Sequence, residues 1–186
     1  DPGKSLYHHG LGSVYARAFD ASRDKEMFRL AHAEFKEAIE LNPLDSRLLG
    51  LLGQLYVSAA QAPSLSGGLD EQRKSWIRAA LRVYERAVRL APFSAPYRYE
   101  QARLHWMLGE KAAAEQQGKE AERLEPNFLT ARALLAHVWV DAGRIDEARQ
   151  ELHEIQARQA RYEQWNKNSI DRAFLGVDVA PLRAAV

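Results

Sequence analysis

Residues 80–92 read ALRVYERAVRLAP, and the same order of small, aromatic and closing proline residues recurs in the chain. Related segments are AHAEFKEAIELNP at 31–43 and AEQQGKEAERLEP at 114–126. The spacing from Pro92 to Pro126 is 34, and the longer spacing from Pro43 to Pro92 equals that period plus an insertion of 15. A fixed period of this length predicts stacked supersecondary units and not one mixed core.

Small residues repeat at the same spacing and support the same period. Gly109 and Gly143 are one such period apart, as are Ala114 and Ala148. Positions where a first helix would approach its partner carry small side chains, because large ones would push the helices apart. These positions are Gly12, Gly53, Ala102 and Ala136. Each helix pair would then expose an apolar face that only the next pair covers.

The whole pattern resembles the tetratricopeptide repeat, in which about 34 residues form two antiparallel helices. The first-helix signature of that family appears as Leu11-Gly12 with Tyr15, Leu52-Gly53 with Tyr56, and Leu135-Ala136 with Trp139. The third repeat departs from it, because His105 replaces the tyrosine and Gly118 replaces the second-helix aromatic. In the fourth, Ala160 stands in place of the proline. The resemblance implies an all-α, right-handed α-solenoid of about four helix pairs with a C-terminal cap.

Periodicity and helix breakers divide the chain further. We predict a repeat array over 1–160 and a cap over 161–186. The repeats are expected near 5–45, 46–94, 95–128 and 129–160, and the helices near 5–20, 24–41, 45–60, 70–90, 94–108, 110–124, 127–141 and 144–165. Residues 61–69, QAPSLSGGL, contain one proline and two adjacent glycines, so they are predicted to interrupt the helices.

The amino-acid composition argues against several classes of function. The 26 basic and 25 acidic residues give a formal net charge of +1, which offers no general attraction for nucleic acid. Cysteine is absent, so disulfides and thiolate metal sites are excluded. The longest apolar run, 48–53, is far shorter than the roughly 20 residues that span a bilayer. We expect no nucleic-acid partner and no membrane insertion, and the compartment, cytoplasmic or periplasmic, stays open.

Signals for catalysis are weak. Gly3-Lys4-Ser5 matches the end of a phosphate-binding loop but lacks the upstream glycine and strand. His8 and His9 are adjacent, and neighbouring helical residues point about 100° apart. No triad, paired-carboxylate spacing or cofactor fingerprint is evident. We therefore expect no catalytic residue, no metal site and no cofactor.

In the resembled family, a groove lined by the first helices binds an extended peptide or a helix of a partner. The resemblance assigns Arg17, Arg47, Gln54, Tyr99, Arg103, Trp106, His137 and Asp141 to this groove. Aromatic residues and arginines supply most binding hot spots, because they combine contact area with low entropy cost. The alternative is that Tyr99 and Trp106 pack between repeats while the arginines are solvated. The expected partner is a protein or peptide, or a second copy of the chain.

Two more specific roles remain alternatives. Tyr7-His8-His9-x-Leu11-Gly12-x-x-Tyr15 resembles the start of tetratricopeptide tails on O-antigen ligase and polymerase-type membrane proteins. This resemblance implies a periplasmic part of a polytopic protein that builds cell-envelope glycans. The chain begins without Met, and Pro2 stands where a preceding repeat would close, so a longer parent protein is expected. A scaffold in secretion or pilus assembly is the other alternative.

Overall fold

A computed structural model describes residues 2–66, 70–165 and 177–186 of the chain. These residues form ten helices and no strand. The helices are α1 (Pro2–Ser22), α2 (Lys25–Leu41), α3 (Ser46–Gln61), α4 (Pro63–Ser66), α5 (Asp70–Leu90), α6 (Ala95–Met107), α7 (Lys111–Leu124), α8 (Leu129–Asp141), α9 (Ile145–Trp165) and α10 (Ala180–Ala185). The predicted all-α fold of helix pairs is confirmed.

The helices belong to two compact units, which we call unit 1 (1–92) and unit 2 (93–186). In unit 1, α1 packs on α2, α2 on α3, and α3 on α5. In unit 2, α6 packs on α7, α7 on α8, and α8 on α9. Within each unit, therefore, sequence neighbours supply most of the packing, as expected for stacked helix pairs.

The small residues of α1 and α3 lie against aromatic rings of the second helices. A Cβ added to Gly12 would lie 2.6 Å from the Phe35 ring, and one added to Gly53 would lie 2.6 Å from the Tyr84 ring. Both rings are almost fully buried. Only glycine lets the two helices of each pair come this close, which gives the recurring Gly and aromatic residues one joint physical cause.

Gly109 and Gly143 have a different role from the glycines in α1 and α3. Their φ angles are +78° and +76°, and a Cβ at either position would meet no atom within 4 Å. Each follows the end of a first helix, α6 or α8, where a left-handed residue commonly ends a helix. Their shared spacing thus marks equivalent helix ends.

Residues 61–69 interrupt the helices, as predicted, but they contain one helical turn. Helix α3 ends at Gln61, and α4 begins at Pro63, whose fixed φ suits the first position of a helix. The hydroxyl of Ser64 donates a hydrogen bond to the carbonyl of Arg23 at 2.6 Å. The remaining residues of this segment, 67–69, lie outside the described residues.

The C-terminal helix α10 packs on the last helix pair of unit 2. Leu182 is fully buried and belongs to the same core cluster as Trp139, Leu152 and Ile155. Helix α9 continues to Trp165, so the predicted boundary between array and cap at residue 160 lies inside a helix. Residues 166–176 of the predicted cap lie outside the described residues.

Candidate partner-binding surface

The first helices of unit 2, α6 and α8, bring three of the predicted groove residues together. The indole Nε1 of Trp106 donates a hydrogen bond to Oδ2 of Asp141 at 2.6 Å. The Trp106 ring also stacks on His137, with centroids 5.9 Å apart and planes inclined by 22°. Trp106 and His137 are half-buried, whereas Asp141 is exposed. We call these three residues the α6–α8 surface.

The ends of the helices explain why these side chains meet. Trp106 lies in the last turn of α6, and Asp141 is the last residue of α8. The ammonium group of Lys111, at the start of α7, donates to the backbone carbonyl of Asp141. Carbonyls in the last turn of a helix lack helical partners, so this bond satisfies one of them. Asp141 is therefore held at both its side chain and its backbone.

The environment of His137 favours the neutral imidazole. Burial lowers the pKa of His137 below its ordinary value, while the charge of Asp141 opposes this shift. Since the net direction is downward, the ring is mostly uncharged at neutral pH. The α6–α8 surface thus presents two flat, largely neutral rings next to one carboxylate.

Two other predicted groove residues of α6 are engaged by neighbouring groups. Arg103 donates from Nε and Nη2 to Oε2 of Glu100, at 3.0 and 2.6 Å. The Tyr99 ring lies 5.2 Å from that of Phe128 and packs on a buried cluster of unit 2. Burial raises the pKa of the Tyr99 hydroxyl, with the charge of Glu100 adding to the shift. Tyr99 is therefore packed against Phe128, directly before α8.

The three predicted groove residues of unit 1 do not form a cluster of this kind. Arg47 donates from its Nε and Nη2 to the carboxylate of Asp45, which also caps α3 by accepting from the Arg47 backbone N–H at 2.9 Å. The side chain of Arg47 is still 84% exposed. Arg17 on α1 and Gln54 on α3 are exposed.

Sequence reasoning missed Lys111 as a contributor to the α6–α8 surface. The local sequence gives no sign of what Lys111 contacts. The N-terminal end of the helix dipole favours acidic residues, so the dipole does not explain a lysine at this position. Its partner, the Asp141 carbonyl, is a backbone group far away in sequence. Only the packing of α7 next to α8 reveals the contact.

One of the two adjacent histidines, His8, contacts a carboxylate of the neighbouring helix. Nδ1 of His8 lies 2.7 Å from Oε2 of Glu34, so this histidine is paired across α1 and α2. In the described part of the chain, no group of three or more His, Asp or Glu side chains is arranged to hold a metal ion. Among the described helices, none combines the length and apolar character that crossing a bilayer requires.

Comparison with known proteins gives the fold a name. No protein-family model matches the chain. Among solved structures, TTC0263, a thermophilic TPR protein in Thermus thermophilus, is 21% identical over 96% of this chain and 98% of that chain, with a TM-score of 0.48. MamA MSR-1 C2 is 15% identical over 84% of this chain and 97% of that chain, with a TM-score of 0.57. Through the likeness to MamA MSR-1 C2, the chain is shown to have the fold of tetratricopeptide-repeat proteins.

Proposed function

We propose that this chain is a non-catalytic protein-interaction module that holds a segment of a partner protein on the α6–α8 surface. The observation that supports the proposal is the stack of Trp106 on His137, fixed by the hydrogen bond from Trp106 to Asp141. Half-exposed aromatic rings offer large contact areas with little conformational entropy left to lose, which is typical of binding hot spots. Such pre-ordered rings suit recognition better than mobile side chains.

The carboxylate of Asp141 defines the chemistry that a partner segment would present. Its Oδ2 accepts from Trp106, and its Oδ1 accepts no hydrogen bond from the residues that the structure describes. An exposed carboxylate held in a fixed position favours a donor such as a backbone N–H, a lysine or an arginine. The expected partner segment therefore places a donor next to an apolar or aromatic side chain.

The proposal is tested by selecting a random-peptide library against the full chain and measuring the affinity of the selected peptides by fluorescence anisotropy. Trp106→Ala combined with Arg103→Ala, one helical turn before it on α6, should weaken a class of peptides, because the flat contact area and a neighbouring guanidinium are lost. Phe93→Ala is the matched control, since Phe93 is an aromatic residue that is 82% exposed outside this surface. If no peptide class loses affinity in a folded Trp106→Ala/Arg103→Ala variant, the α6–α8 surface is not the binding site.

The more specific roles stay predictions. The resemblance of residues 7–15 to tails of O-antigen ligase and polymerase-type proteins concerns α1 alone, and the secretion or pilus scaffold shares only the architecture. Membrane fractionation of the full-length protein, detected with an antibody against this chain, separates them from a free adaptor.

A further inference from the structure

Unit 1 carries a groove that shares no residue with the α6–α8 surface. It has a volume of about 310 Å³ and is lined by the second helices α2 and α5, with α3 between them. We call it the α2–α5 groove. Apolar and aromatic side chains of α3, namely Leu49, Leu52 and Tyr56, contribute to its lining. The sequence pattern assigns no function to this part of the molecule.

Positive charge predominates in the α2–α5 groove. Lys36 on α2 and Arg82 and Arg86 on α5 line it and are exposed, whereas Glu40 is the one carboxylate in its lining. Within the described residues, neither Lys36 nor Arg82 has an ion-pair partner. Arg86 donates to the carbonyl of Pro43, at 3.4 Å. Because Arg82 and Arg86 are one helical turn apart, both lie on one face of α5.

Two titratable side chains, His32 and Tyr56, lie next to these cations. Nε2 of His32 lies 2.9 Å from the hydroxyl of Tyr56. Burial lowers the pKa of His32, and the charge of Lys36 lowers it further. Burial raises the pKa of Tyr56, whereas the charge of Arg82 opposes this. An anionic group in the groove would thus meet cations that act on it from both α2 and α5.

Unit 2 carries a groove at the equivalent repeat positions, but with the opposite charge. Arg82, Val83 and Arg86 each lie two repeat periods before Gln150, Glu151 and Glu154. The equivalent groove has a volume of about 870 Å³, and its lining holds four glutamates, Glu122, Glu147, Glu151 and Glu154, against two cations, Lys119 and Arg132. The fold itself therefore does not require basic residues at these positions.

We propose that the α2–α5 groove binds a partner segment that presents a large apolar side chain beside acidic side chains. The apolar residues of α3 would take up the apolar side chain, and the cations of α2 and α5 would pair with the carboxylates. Charge complementarity of this kind gives specificity and speeds association. A basic segment is disfavoured in this groove by like-charge repulsion.

The experiment uses peptides selected from a random library on the full chain, and compares two double variants of α5. Arg82→Glu/Arg86→Glu reverses the groove charge, and Arg78→Glu/Arg89→Glu makes the same charge change at exposed positions outside the lining. We expect one peptide class, rich in acidic and large apolar residues, to lose affinity by about tenfold or more only in the first variant. Circular dichroism with thermal unfolding confirms that both variants fold.

Three further measurements test this groove, and the first of them separates it from the α6–α8 surface. The same acidic peptides should bind Trp106→Ala as tightly as the unaltered chain, and Lys36→Glu should weaken them from the α2 side. Their affinity should also fall with rising salt, because the charges are exposed. The proposal is overturned if no peptide class distinguishes the two double variants, or if the class that does so is basic.

Discussion

Arg132 of α8 and Glu151 of α9 form an ion pair in the interior of unit 2, where they are 5% and 9% exposed. Glu122 of α7 completes a triad, with its Oε1 lying 2.6 Å from Nη2 of Arg132. The equivalent positions in unit 1 are apolar, namely Leu49, Val83 and Ile39. Three equivalent positions thus hold charged residues in unit 2 and apolar residues in unit 1.

Removing only the arginine of this triad should destabilise unit 2 strongly. Arg132→Leu leaves two glutamates in a poorly solvated place without their cation, and we expect a loss of about 3–5 kcal/mol in the free energy of unfolding. The triple variant Arg132→Leu/Glu122→Ile/Glu151→Val copies unit 1 and should recover most of this loss or exceed the original stability. Urea denaturation measures both variants. A triple variant no more stable than Arg132→Leu would contradict the equivalence.

The free energy of unfolding should depend on pH through the titration of Glu115. Hydrogen bonds from Lys119, and then from Arg144 and Trp139, hold the pKa of Glu115 at about 2, below its usual value of 4.5. Because the folded-state pKa is the lower one, the stabilisation is present above pH 4.5 and is lost as the pH falls toward 2.

Glu115→Gln should therefore be less stable than the unaltered chain at neutral pH, by about 1 kcal/mol for a partly exposed group. The difference should disappear at the acidic end of the window. Glu85→Gln, at an exposed carboxylate of α5, is the matched control for the change in charge. Thermal unfolding at several pH values checks this, and a difference that does not vary with pH would refute the assignment.

Close packing at Gly53 should make even one added methyl group costly. Gly53→Ala places a Cβ 2.6 Å from the buried ring of Tyr84, so we expect a loss of about 1–3 kcal/mol despite the better helix propensity of alanine. Gly10→Ala is the control, because a Cβ there meets no atom within 4 Å. That variant should be stabilised by roughly 0.5–1 kcal/mol. Equal effects in chemical denaturation would disprove the assigned helix contact.

Substitutions in the turn after α6 should change stability through the backbone conformation and not through steric contacts. Gly109 has a φ of +78° with open space around its Cβ position, so Gly109→Ala should cost about 1 kcal/mol through left-handed strain alone. Gly109→Asn should cost less, because asparagine tolerates this region better. Thermal unfolding of the two variants gives the comparison. An alanine variant as stable as the original chain would show that the turn adjusts.

Much of the fold could be predicted from short-range patterns in the sequence. The recurring small, aromatic and proline residues predicted the helix pairs, and the proline and glycines of 61–69 predicted the interruption there. Such features are local, because helix propensity, capping and the spacing of apolar residues act within a few turns. The pairing of Gly12 with Phe35 and of Gly53 with Tyr84 also follows once the repeat is recognised.

Long-range partners of individual side chains were decided by the tertiary structure. Trp106 and Asp141 are far apart in sequence and meet only because α6 and α8 lie side by side in unit 2. The same packing turns Tyr99 toward Phe128, although the resemblance assigns both Tyr99 and Trp106 to one groove. Helix crossing and rotamers set these contacts, and neither is encoded in the repeat period.

By itself, the sequence determined the repeat period, the positions of the small and aromatic residues and the number of helix pairs, since these depend on local spacing. The tertiary structure decided which charged side chains became buried and which stayed exposed. It buried Arg132 beside two glutamates and left Arg82 and Arg86 exposed along a groove. The reason is physical: the energy of a charge depends on its burial and its neighbours, which only the assembled helices define.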